Sequence, residues 1–181
     1  MSKAIVLVDG GYFNKVLENV FKKPEFSYEK FSDVVCQRAS CERVRTYYYQ
    51  CMPYQSNPPT STESAKYGQM DKFLAYLRGL PRFEIRLGRL QKIGKEFKQK
   101  GVDVWLSIDL VRLSCKGAID KAILVTGDSD FVPAVKIAKE EGIITVLYYS
   151  KVPPMYVHYE LLNACDEKYE IDRNIIDSSK P

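Results

Sequence analysis

The sequence predicts an α/β protein of three αβα layers, with a central parallel sheet of about five strands and helices on both faces. Three observations predict it. Strand-like apolar runs alternate with helix-length segments along nearly the whole chain, the pattern of parallel strands joined by right-handed helical crossovers. Two of the runs, Ala4–Val8 and Ala122–Val125, carry no polar residue, as strands buried on both faces do. Both break off into turns that carry aspartate, Asp9-Gly10-Gly11 and Gly127-Asp128-Ser129-Asp130.

Taken in order, Ala4–Val8 is the first strand, and helical patterns follow around Phe13–Phe21 and Tyr28–Ser40. Arg43–Cys51 and Phe83–Arg89 alternate polar and apolar residues, as half-exposed outer strands do, and flank a helix at Glu63–Arg78. Pro53–Thr62, PYQSNPPTST, is a polar, proline-rich loop of a composition that is often mobile and sometimes closes over a site. A helix at Val102–Cys115 precedes the apolar strand Ala122–Val125, which leads into a helix at Phe131–Glu141 and a strand at Ile144–Tyr149. Residues 1–165 form one domain in this reading, and Asp166–Pro181 reads as a short strand with a polar tail.

With 181 residues, 45% hydrophobic and 28% charged, the chain has the composition of a soluble globular domain. No stretch approaches the roughly 20 apolar residues that cross a bilayer, and the amino terminus lacks a signal-peptide layout, so a cytoplasmic protein is expected. Five cysteines without a CxxC pair, and one histidine, His158, make a poor zinc set and point to reduced, mostly buried thiols. His158 itself reads as a surface or packing residue. From Arg78 to Lys100 stand eight basic and two acidic residues, a local charge of +6 within a total of +4. Positive charge so concentrated suits a phosphate-backbone track, although a solvated face carries the same signature.

The strand-end aspartates carry the chemistry. Ligands of open α/β sheets bind outside the carboxyl ends of the strands, where Asp9, Asp128 and Asp130 fall. Carboxylates gathered there repel one another and call for a cation. Asp9 by itself is also what a helix N-cap looks like. Asp103, in the first turn of the Val102–Cys115 helix, gains from the positive end of the helix dipole, which by itself accounts for an aspartate at that position. Asp109 lies about 240° further around that helix and pairs with Arg112 at i+3, which makes it a supporting residue. Tyr47–Tyr49 can stack bases, but three tyrosines in a β-prone run more often pack.

VDGGYF after the first strand, KGVDVWLSIDLVRL on the central helix and LVTGDSDFVPAV after the fourth strand resemble the NYN domain, a PIN-like nuclease fold, with the LabA-like branch nearest. The resemblance spans roughly residues 3–150. It implies a parallel sheet in the order 3-2-1-4-5, with strands one and four adjacent at a topological switch point. It also implies an acidic set of Asp9, Asp103, Asp128 and Asp130 that binds metal and is catalytic, with Asp109, Asn14 and Ser129 behind it. Family members commonly carry Asn three residues after the first Asp; here that position is Tyr12, and Asn14 follows two residues later.

Oxygen-only ligands suit Mg²⁺ or Mn²⁺. The expected function is therefore a metal-dependent ribonuclease acting on RNA, single-stranded in this reading, with no membrane partner and homodimerisation left open. Lys100, Arg86, Arg89, Lys92, Lys95 and Lys98 would hold the RNA backbone. The rival reading is a PIN-like regulatory module that binds RNA or protein with little or no cleavage, which the Tyr12 departure favours. The chain lacks the GxGxxG of a dinucleotide fold after its first strand.

Overall fold

Strand β1 (Ser2–Asp9) occupies the middle of the sheet, because Ala4–Val8 offers no polar side chain to either face. In the computed structural model, which describes residues 1–93 and 96–181, β1 pairs in parallel with β2 (Cys41–Cys51) and β5 (Lys121–Val125). Beyond β2 lies β3 (Phe83–Ile93), and beyond β5 lie β6 (Ile144–Tyr149) and β7 (Glu167–Glu170), all parallel to their neighbours. The five strands read from sequence thus stand in the expected order 3-2-1-4-5. At one edge β4 (Glu96–Lys100) runs back along β3, with Arg89 opposite Lys100 and Ile93 opposite Glu96. The basic stretch expected as a track is therefore largely an antiparallel hairpin, and the sheet order is β4-β3-β2-β1-β5-β6-β7.

The two-residue period of the strands sorts the core into two halves. Ala4, Val6 and Val8 face one layer together with Tyr48, while Ile5 and Leu7 face the other together with Tyr47 and Tyr49. The first layer holds α1 (Gly10–Asn19), α2 (Tyr28–Arg38), α3 (Ser61–Arg78) and α7 (Arg173–Ser178). The second holds α4 (Val102–Ser114), α5 (Val132–Glu140) and α6 (Tyr159–Ala164). Tyr47, Tyr48 and Tyr49 are all buried, so this run packs the core and offers no surface for stacking bases. The five thiols are free, all buried except Cys115. Among the described residues, no helix is long and apolar enough to cross a membrane.

Helix α3 stands apart from this pattern. Of its eighteen residues only Leu74 and Leu77 are buried. Its amino terminus is built instead by hydrogen bonds: the Thr60 hydroxyl accepts from the Glu63 N–H, and the Glu63 carboxylate accepts from the Thr60 N–H and the Ser56 hydroxyl. Those donors, Ser56 first, pull the Glu63 carboxyl down to about 2. A cavity of about 660 Å³ lies beside its inner face, lined among others by Asn14, Phe26, Tyr28, Met70 and Phe73.

The carboxyl terminus corrects the sequence reading. The strand β7 is present, but the segment read as a polar tail contains α7, capped by Asp172 and burying Ile175 and Ile176 in the first layer. Two adjacent isoleucines are too few to register as a helical period, which is why the sequence pattern passed over them. Ile175→Ala is expected to lower the unfolding free energy by about 2–5 kcal/mol in urea titrations, whereas a substitution in a solvated tail would change it by less than about 0.5 kcal/mol.

Candidate metal centre at the carboxyl end of the sheet

β1 and β5 are neighbours, and the chain leaves their carboxyl ends toward opposite layers, into α1 from one and toward α5 from the other. A crevice forms where two such exits diverge. Asp9 ends β1 and caps α1: its Oδ1 accepts the Tyr12 N–H at 3.1 Å, and its Oδ2 accepts the Thr126 hydroxyl at 3.1 Å. Burial raises its pKa, and those hydrogen bonds partly oppose the rise. Asp128 caps the short 3₁₀ turn Ser129–Phe131 by accepting the Asp130 N–H at 3.0 Å. Ser129 sits half-buried between the two carboxylates.

The third element comes from across the sheet. Gly101 joins β4 to α4 with φ at +92°, a left-handed conformation that L side chains rarely adopt, and so places Asp103 in the first turn of α4. One carboxylate oxygen from each of Asp103, Asp128 and Asp130 lies within 4.8 Å of the others. Asp9 does not belong to this trio. It lines the same cleft as Asp103 and Asp128, but both its oxygens already accept hydrogen bonds. The expected set of four is thus three converging carboxylates and one carboxylate fixed beside them. Burial raises the Asp103 pKa, and Asp9, Asp128 and Asp130 push it further, so these outweigh the attraction of the helix N-terminus. None of the four forms an ion pair among the described residues. Uncompensated, convergent and all oxygen, the trio fits a hard divalent cation.

The cleft measures about 390 Å³, and its lining also includes Lys15, Met155, Tyr156 and His158. The aspartate patterns in the sequence gave no hint of these residues. Lys15 was findable, being three residues from Tyr12 on α1 and hence on the same helix face. Tyr156 and His158 arrive from the segment after β6 and have no local signature. That segment is fastened to the cleft: the His158 N–H donates to the Gly127 carbonyl at 2.9 Å, and the Tyr12 hydroxyl donates to the Met155 carbonyl at 3.3 Å. The Tyr12 oxygen also accepts the Ser150 N–H at 2.8 Å, and burial pushes its pKa up to about 12. Tyr12 is therefore a strut between α1 and the end of β6.

Other residues singled out in the sequence lie elsewhere. Asn14 lines the larger cavity, its Oδ1 accepting from the Tyr28 and Tyr48 hydroxyls at 2.9 Å each. Asp109 is buried on the sheet side of α4. It accepts from the Tyr49 hydroxyl at 3.0 Å and pairs with Arg112 at 2.8 Å and Arg86 at 3.2 Å. Arg86 also pairs with Glu84 and lies over the Tyr47 ring, so its guanidinium clamps β3 to α4. Arg89 is exposed on β3, opposite Lys100. Lys92 and Lys98 belong to the strands of the hairpin, and Lys95 lies outside the described residues.

The family model for the NYN domain matches residues 3–172. No curated protein matches the sequence. Among solved structures, the chain is similar to a protein of unknown function, VPA0982, from Vibrio parahaemolyticus. That similarity has 24% identity and a TM-score of 0.68, and covers 96% of this chain and 94% of that one.

Two outcomes follow from the geometry. A Cβ at Gly127 would lie 2.7 Å from the Tyr12 ring and 2.9 Å from the Tyr156 carbonyl oxygen, too close for either. Gly127→Ala is expected to cost about 1–3 kcal/mol of stability by denaturant titration, because Tyr12 is tethered at its far end and cannot yield freely. The raised pKa of Asp103 means that the native protein holds a proton there between the ordinary value of 3.8 and the folded value. The unfolded chain has already released it, so this contribution to stability is present at low pH and lost as pH rises through the folded pKa. In metal-free protein, Asp103→Asn should flatten that decline and raise the melting temperature at neutral pH, measured by thermal melts across pH.

Proposed function

Because the chain belongs to the NYN domain family, a PIN-like nuclease family, we propose that it is a divalent-metal-dependent ribonuclease. The observation that carries this reading is the convergence of Asp103, Asp128 and Asp130, which form no ion pair among the described residues, at the switch point of the sheet. Mg²⁺ or Mn²⁺ is the proposed ion, since both prefer oxygen ligands. When bound, such an ion polarises the phosphoryl oxygens and activates water for attack on phosphorus.

The protein's own groups do the rest. Asp128 and Asp130 share one short turn, and the Asp130 N–H to Asp128 bond fixes their relative placement. Asp103 closes the site from α4 and orients the attacking water. Asp9, held by Tyr12 and Thr126, stands beside the trio without swinging into it. Lys15 in the cleft lining meets the phosphate backbone, and Arg89 with the β3–β4 hairpin extends that contact along the edge of the sheet. No histidine or serine nucleophile is required.

A second reading has one observation in its favour. Tyr12 is committed as a strut where family members commonly carry Asn, which fits a module that binds RNA and cleaves slowly or not at all. Cleavage of single-stranded RNA with Mn²⁺ or Mg²⁺, its loss with chelator, and its loss in Asp128→Asn are expected. At a hundredfold excess over its dissociation constant, the metal should stabilise the wild type by about 2.7 kcal/mol, and Asp128→Asn much less. Cleavage that survives chelator overturns the metal mechanism, and metal stabilisation without turnover selects the second reading.

A further inference from the structure

We propose that Tyr156 is a base-stacking residue, and that the cleft accepts a nucleic-acid strand with an unpaired base lying on the Tyr156 ring beside the phosphate held at the carboxylates. The proposal rests on the nuclease reading and specifies its substrate as unpaired RNA. Four observations carry it.

Tyr156 lines the same cleft as Asp9, Asp103, Asp128 and Lys15. It is 61% exposed and, with Tyr159 at 77%, is one of the two most exposed aromatic side chains among the described residues. The tyrosines of β2 are buried and cannot serve. Exposure at the surface leaves an aromatic face available to a partner, and every base has a π-face to offer it.

The ring is carried on a fixed backbone. His158 N–H to Gly127, Tyr12 hydroxyl to Met155 and Met155 N–H to the Val152 carbonyl at 2.8 Å hold the residues on either side of it. Gly127 has no side chain because the Tyr156 carbonyl passes where a Cβ would stand. The backbone bearing the ring is thus seated on the turn that bears Asp128, so the ring's point of attachment is fixed relative to that turn before substrate arrives, which lowers the ordering cost of binding. The cleft offers an acidic wall for metal and phosphate, a lysine for backbone charge, and an aromatic for the base. A base stacked within a duplex presents no free face to such a ring.

The test uses a single-stranded oligoribonucleotide carrying 2-aminopurine, and its duplex, with Mn²⁺. Wild type, Tyr156→Ala, Tyr156→Phe and Tyr156→Trp are compared, and thermal melts verify that each folds. In Tyr156→Ala, KM for the single strand should rise roughly tenfold or more, well beyond any fall in kcat, and the 2-aminopurine quench seen with wild type should be lost. Phe and Trp should restore both, and the duplex should be a poor substrate for all. Cleavage by wild type with the same KM and the same quench in Tyr156→Ala overturns the proposal, and leaves the exposed tyrosine to a protein contact. If wild type neither binds nor cleaves the oligonucleotide, the nuclease reading itself fails.

Discussion

Parallel pairing of β1 with β2 on one side and β5 on the other sets the position of every group in the cleft. Val8 sits opposite Val125 and Asp9 opposite Tyr49, so the two central strands end level with one another. Level ends bring the Asp9 cap and the Asp128–Asp130 turn side by side, and the divergence of the chain into opposite layers opens the space between them. Slipping either pairing by one residue would turn Ala4, Val6 and Val8 into the layer built for Ile5 and Leu7. The apolar core therefore enforces the register, and the register enforces the site.

Within that frame, electrostatics divides four similar aspartates into two kinds. Asp9 accepts two hydrogen bonds and loses the freedom to move, which suits a fixed side chain beside the trio. Asp103, Asp128 and Asp130 converge from two segments with no ion pair among the described residues, and burial together with the neighbouring carboxylates raises the pKa of Asp103. Asp109, on the same helix as Asp103, shows the contrasting case. Fully buried, it is compensated by two arginines and a tyrosine hydroxyl, and it joins α4 to β2 and β3. One helix thus carries a compensated carboxylate that holds structure and an uncompensated one aimed at the cleft.

Much of this was legible because it is local. Apolar runs announced β1, β5 and β6, and the i+3 spacing announced the Asp109–Arg112 pair. Strand-end logic located Asp128 and Asp130, while the placement of Asp103 and the strand order came through the family resemblance. The β3–β4 hairpin was hidden because an edge strand rich in lysine has neither the apolar run nor the helical period that patterns detect. The buried isoleucines of α7 were hidden by brevity. Sequence shows the Asp9 carboxylate but not the hydrogen bonds it accepts from Tyr12 and Thr126. Arg86 read as a phosphate contact because charge counts do not show that a buried partner has already claimed it.

Helix α3 has a consequence of a different order. An element secured by a terminal hydrogen-bond box, two buried leucines and the partly buried Met70 and Phe73, with a cavity at its side and most of its surface exposed, is tied to the sheet by fewer buried groups than the other long helices. Its opening is a local event, because the strands on either side, β2 and β3, pair directly with each other and β2 stays paired with β1. The protein therefore has two mechanical regimes: a stiff central sheet that keeps the carboxylates in place, and a loosely moored helix on one flank. In native-state amide exchange α3 would be the early-opening unit while β1 and β5 report global unfolding. Sequence drift along the outer surface of α3 would carry little penalty for the rest of the molecule.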